Sequence, residues 1–83
     1  YRTHQGTECD LVITKGQTPI LAVEIKYTAA PKMTKGFTIA IQDLNAKSNF
    51  IVVPREEDFQ LNDKVRVQGL ETFIKHQILT LAE

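Results

Sequence analysis

Glu8-Cys9-Asp10-Leu11-Val12-Ile13-Thr14, then Lys15-Gly16-Gln17-Thr18-Pro19, then Ile20-Leu21-Ala22-Val23-Glu24-Ile25-Lys26-Tyr27 is the stretch whose reading decides the fold. Its first and last segments alternate, and side chains alternate across a strand with a period of two. Cys9, Leu11, Ile13, Leu21, Val23 and Ile25 form an apolar face, while Glu8, Asp10, Glu24 and Lys26 share the other. The middle segment carries turn chemistry, so the two strands form an antiparallel hairpin. With Gly16, Gln17 and Thr18 as the loop, Lys15 opposes Pro19, Thr14 opposes Ile20, Val12 opposes Ala22, Asp10 opposes Glu24 and Glu8 opposes Lys26. A one-residue slip would mix charge into the apolar face. A two-residue slip would keep the faces and change only the neighbours.

Outward from the hairpin, Tyr1 to His4 reads as a short first strand closed by Gln5-Gly6-Thr7. Ala29-Ala30-Pro31 breaks the strand that ends at Tyr27. Thr34 to Ala46 predicts a helix, with Phe37, Ala40, Ile41 and Leu44 in one apolar stripe, Thr34 as N-cap and Asn45 or Asn49 at its end. Phe50-Ile51-Val52-Val53, ended by Pro54, reads as a strand buried on both faces. Arg55 to Asp63 is polar and predicts a surface loop; Lys64 to Val67 predicts a short edge strand. Gly69 to Ala82 predicts a last helix with Leu70, Phe73, Ile74, Ile78 and Leu81 along one side. A strand, a helix and a further strand imply a parallel pair, and the hairpin an antiparallel one. The sheet is therefore mixed, in an α+β (α/β) domain.

The 83 residues suit one domain over 1–83. Ten basic and ten acidic residues cancel, so no global positive field draws the chain to nucleic acid. One cysteine excludes an internal disulfide and a multi-cysteine zinc site, and a cytoplasmic, reducing location is expected. No apolar run approaches the roughly 20 residues of a membrane span. The first residue is Tyr1 rather than methionine, so the chain is read as a fragment that begins inside a strand.

Two carboxylates opposed across strands repel unless a cation offsets them. Oxygen ligands of this kind suit magnesium, which takes one or two carboxylates plus water and phosphate. Lys26, two residues past Glu24, projects from the same face and could orient a water or stabilise charge on a phosphate. Glu8 could hold a second metal or pair with Lys26. The bland alternative is a solvated face with a Glu8–Lys26 bridge. Against it, the charges cluster at one end of the hairpin, and Glu24 and Lys26 alternate with strongly apolar residues.

Asp10, the turn and Glu24-Ile25-Lys26 on an apolar strand resemble the split Asp…Glu-x-Lys signature of the PD-(D/E)XK superfamily. A wider run carries a more specific resemblance: Tyr1-Arg2-Thr3, Gly6-Thr7-Glu8-Cys9-Asp10-Leu11-Val12, Ala22-Val23-Glu24-Ile25-Lys26-Tyr27 and Lys32-Met33-Thr34-Lys35-Gly36-Phe37. It is similar to the nuclease-like C-terminal domain that follows an AAA+ ATPase module in bacterial and archaeal proteins. The resemblance implies a restriction-endonuclease-like mixed central sheet flanked by helices, its usual N-terminal helix absent from this chain. It implies Asp10 and Glu24 as metal-binding acids with Glu8 beside them, Lys26 as catalytic lysine, and Mg²⁺ or Mn²⁺ as cofactor. The ATPase module and nucleic acid are the partners it implies; without the first helix part of the sheet is left uncovered, and such an apolar patch predicts a homodimer. The glycine-rich loop of an ATPase is not in these residues, so ATP binding would belong to the preceding module.

Lys35, beside Gly36 at a helix start, is a candidate phosphate contact. Lys32, Lys47 and Arg55 are weaker candidates for the same track, with simple solubilising charge as the alternative. His4 and His76 read as bland. Cys9 is expected to be buried and inert, and Tyr27, Phe37, Phe50 and Phe73 to pack. Two functions follow: divalent-metal-dependent phosphodiester hydrolysis, or a non-catalytic binding or assembly module that keeps the nuclease fold.

Overall fold

The computed structural model describes residues 9–28 and 30–82. The first strand read for Tyr1 to His4, together with Glu8 and His4, lies outside the described residues. The elements are β1 (Leu11–Lys15), β2 (Thr18–Ile25), α1 (Lys35–Leu44), β3 (Ser48–Val53), β4 (Asp58–Gln60), β5 (Val65–Gly69) and α2 (Leu70–Phe73). α2 runs on as a π-helical turn, Ile74–Ile78, and a 3-10 turn, Leu79–Ala82.

The sheet has five strands in the order β1-β2-β3-β5-β4. β1 and β2 are antiparallel, as are β4 and β5; β2, β3 and β5 run parallel. The sheet is mixed, as the sequence predicts. Val12 pairs with Ala22 and Leu11 with Val23. Nearer the turn the register shifts between Ile13 and Thr14, which brings Thr14 onto Pro19 and Lys15 onto Thr18. The loop is therefore the two residues Gly16 and Gln17, with Gly16 at φ +64°, and Ile20 becomes the extra residue of a bulge. Pro19 cannot give an amide to a regular ladder, which is a physical reason for the irregularity to fall there.

Each face of the sheet carries its own apolar cluster. Phe37, Ala40 and Ile41 of α1 pack on Ala22, Ile51, Val53, Val65 and Val67. On the other face Phe73 packs with Leu21, Val23, Phe50 and Val52, and the Phe50 and Phe73 rings meet edge to face at 5.3 Å. β3 is buried on both sides, as its unbroken apolar run requires. α1 begins at its Thr34 N-cap and ends on Asn45, whose N–H still donates to Ile41 O and whose left-handed φ of 49° turns the chain out of the helix.

Four expectations need correction. Arg55 to Asp63 is not all loop: β4 forms within it and is held to β5 by Arg66, which donates to Asp58 and to Gln60. β5 is consequently an interior strand, with Val65 and Val67 fully buried, and β4 takes the edge. The final helix leaves the α geometry after Phe73, and the expected apolar stripe is only partly covered: Phe73 is buried and Ile78 packs beside it, while Leu70, Ile74 and Leu81 are exposed. Tyr27 is 81 % exposed rather than packed, because β2 ends at Ile25 and the chain leaves the sheet.

Cys9 is buried as expected, but in the cluster under α1 rather than on the Leu11–Ile13 face. The chain bends at Asp10, and alternation stops where the strand stops. The thiol donates to the Leu11 and Val23 carbonyls at 3.2 and 3.3 Å. Burial pushes its pKa above the ordinary thiol value, so the less reactive protonated form persists to higher pH. In the folded chain at pH 8, Cys9 should react with a disulfide reagent at least about 100-fold more slowly than in denaturant, since reaction requires local opening. Comparable rates in the two states would contradict this placement.

Candidate functional site

β2, β3 and β5 end at one edge of the sheet, β1 begins there, and α1 starts from there. In open α/β sheets the crevice outside the carboxyl ends of the strands is the usual place for ligands. Glu24 is the next-to-last residue of β2, only 6 % exposed, on the face that α1 covers. A buried carboxylate must be paired or hydrogen-bonded, and Glu24 is both. Lys26 Nζ stands 3.3 Å from Oε1. The Thr34 hydroxyl donates towards Oε2 at 3.3 Å, with Oε1 at 3.5 Å.

Lys26 lies just beyond β2, but its N–H still donates to Val52 O at 2.9 Å. That bond carries the strand's alternation two residues past Glu24 and keeps both side chains on one face. Asp10 joins the edge differently. It is exposed, in the bend before β1; its N–H donates to Val23 O at 3.0 Å, and its Oδ2 accepts the Ile25 N–H at 2.8 Å. Its carboxylate is thus anchored to the backbone of β2, one residue beyond Glu24, instead of resting on the Glu24 side chain.

Among the described candidates, Glu24 and Lys26 touch directly and Asp10 is brought to the same strand end. Glu8 lies outside the described residues. Lys35 is the exposed first residue of α1 and does not line the neighbouring cleft. That cleft, of about 230 Å³, is lined by Lys26, Thr28, Lys32 and Thr34 with Ala30 and Met33. Arg55 is occupied nearby, donating to Thr28 O at 3.1 Å and standing 3.3 Å from Glu57. Lys47 precedes β3 and so belongs to the opposite edge of the sheet. A roomier depression of about 560 Å³ between the hairpin and the last helix is likewise lined by lysines without an acid, and it lies at the other end of β2, away from Glu24.

Two carboxylates with neighbouring hydroxyl oxygens are a hard donor set. Among the described residues no three or more His, Cys, Asp and Glu side chains gather. A cation here would be held by one or two carboxylates and complete its shell with water or phosphate, which is magnesium's habit. The oxygen donors of Glu24 and Asp10 are of the kind such an ion takes. Thr34 is the site residue that sequence reading assigns only to the helix cap. Its second partner, Glu24, is ten positions away, and only the β2–α1 connection brings them together.

The fold and site together define a small α+β domain with an acid–lysine pair at the carboxyl edge of a mixed sheet. Residues 1–73 match the family described as "Domain of unknown function (DUF4143)", and the chain belongs to that family. Neither the curated proteins nor the solved structures give a match. Among the described residues no helix is long and apolar enough to cross a membrane.

Proposed function

We propose that this chain is a restriction-endonuclease-like domain with a divalent-metal-dependent phosphodiester site, carried behind an AAA+ ATPase module. The observation that supports it most is the buried Glu24 carboxylate paired with Lys26 beside the anchored Asp10. The hairpin feeding through α1 into a parallel β3 is the arrangement expected for such a domain. Glu24 and Asp10 would hold Mg²⁺ or Mn²⁺, which supplies Lewis-acid polarisation of a phosphoryl oxygen and a more acidic bound water. Lys26, in the lining of the cleft, offers its ammonium to charge building on the phosphate. Lys32 and Thr28 line the same cleft and offer contacts to a neighbouring phosphate.

The test uses single- and double-stranded DNA and RNA with Mg²⁺ or Mn²⁺. Cleavage should fall about 100-fold or more in Glu24→Ala and in Lys26→Ala. Mn²⁺ should also raise the melting temperature by mass action, and Asp10→Asn should abolish the rise. Absence of cleavage, or cleavage indifferent to both alanines, would sink the enzymatic reading.

The exposed apolar side chains favour a second reading, a binding or assembly module. Leu11 and Ile25 on the sheet, and Leu70 and Ile74 on the last helix, are each 41–49 % exposed. Where such side chains form one patch, the surface is one for association. A homodimer, or docking on the ATPase module, would use it without any metal.

A further inference from the structure

We infer that Thr34 is a positioning residue for Glu24, holding its carboxylate ready for a cation while Lys26 is the partner that gives way. The inference rests on the metal-site reading above. Glu24 has three rotatable side-chain bonds and two contacts that could hold its end. Lys26 is a poor holder: its side chain is 25 % exposed and ends a flexible four-carbon stem. Thr34 differs in kind. It is β-branched and stiff at χ1, and its backbone is set in the extended N-cap conformation at φ −102°, ψ 157°. Its oxygen is further fixed by accepting the Phe37 N–H at 3.1 Å, and Phe37 is fully buried.

The hydroxyl therefore faces two ways. It accepts from the first turn of α1 and donates to the carboxylate, so Glu24 is tied through one side chain to the positive end of a ten-residue helix. The two partners also favour different oxygens, Lys26 at Oε1 and Thr34 nearer to Oε2. A cation arriving at the carboxylate repels the Lys26 ammonium and has no such quarrel with a hydroxyl. Lys26 then turns to the cleft that it already lines, and Thr34 keeps the carboxylate in place.

Partners that orient a ligating carboxylate typically matter by 10- to 100-fold in metal affinity. Calorimetric titration of the 83-residue chain with Mn²⁺, below its melting temperature, reads this without any activity. Thr34→Val, which keeps the shape and loses the hydroxyl, should weaken Mn²⁺ about 10-fold or more, and Thr34→Ser should restore near-wild-type affinity. Thr34→Gly provides a second test if the valine variant does not fold, since glycine is a tolerated N-cap; it too should weaken Mn²⁺. Wild-type affinity in Thr34→Val or Thr34→Gly would overturn the positioning role and leave the metal site standing. A wild-type chain with no Mn²⁺ response would overturn both, because no metal-holding carboxylate would remain to be positioned.

Discussion

Phe37→Ala should lower stability by about 3–5 kcal/mol, the range for removing a buried aromatic side chain. Phe37 is fully buried at the centre of the cluster that joins α1 to β2, β3 and β5. A domain of this length has about 4–12 kcal/mol in total at ordinary per-residue stability. The loss is thus about a quarter or more of what holds the chain folded. Denaturant unfolding should show a clearly lower midpoint at an unchanged slope. The substitution should also loosen the candidate site, because the Phe37 ring seats on the sheet the helix whose first turn carries the Thr34 cap. A midpoint within error of wild type would mean that α1 does not pack as described.

Gly69→Ala should destabilise by about 1–3 kcal/mol, the usual cost of forcing atoms into filled space. The backbone of Gly69 is ordinary, at φ −64° and ψ 152°. With no conformational need for glycine, alanine would normally stabilise by about 0.4–1 kcal/mol through the unfolded chain. Space reverses the sign. A methyl group at Gly69 would lie 2.5 Å from the Arg55 carbonyl oxygen and 3.1 Å from Glu56 Cα, both backbone atoms. The Gly69 N–H also donates to Glu57 O at 2.7 Å, so pushing the 54–57 segment away breaks a bond that leads the chain into β4. Thermal melting of the variant decides between the signs, and a rise would refute the close approach.

The parts of the fold legible in the sequence were those in which one local pattern decides. Phe37, Ala40 and Ile41 share a helical face because nothing in that segment competes with a 3.6-residue period. Phe50 to Val53 could only be a strand covered on both sides. The Val12–Ala22 pairing follows from alternation, although the bulge at Ile20 does not. β4 was hidden because it has three residues, all exposed, and its short ladder to β5 is reinforced by the Arg66 side chain of that distant strand. The widening of the last helix was hidden because Leu70, Phe73, Ile74 and Ile78 fit an α-helical stripe. At the candidate site, the spacing of Glu24 and Lys26 is a local fact, and the structure sets them 3.3 Å apart. The Asp10 contact to the Ile25 amide and the Thr34 contact to Glu24 depend on a bend and a crossover that periodicity does not encode.

The irregular end of the hairpin has a consequence for how change spreads through the molecule. Regular pairing runs from Leu11–Val23 to Ile13–Leu21, and the shift is taken up beyond it, at Ile20 and Pro19. Gly16 lies past that point, with nothing within 4 Å of where its side chain would be. The bulge acts as a buffer in phase. A residue gained or lost at the turn can be absorbed between it and the regular ladder, so Glu24 keeps its side of the sheet. The tip of the hairpin is thereby free to vary in length and sequence, or to carry a fused label, at the end of the strands remote from the acid–lysine pair.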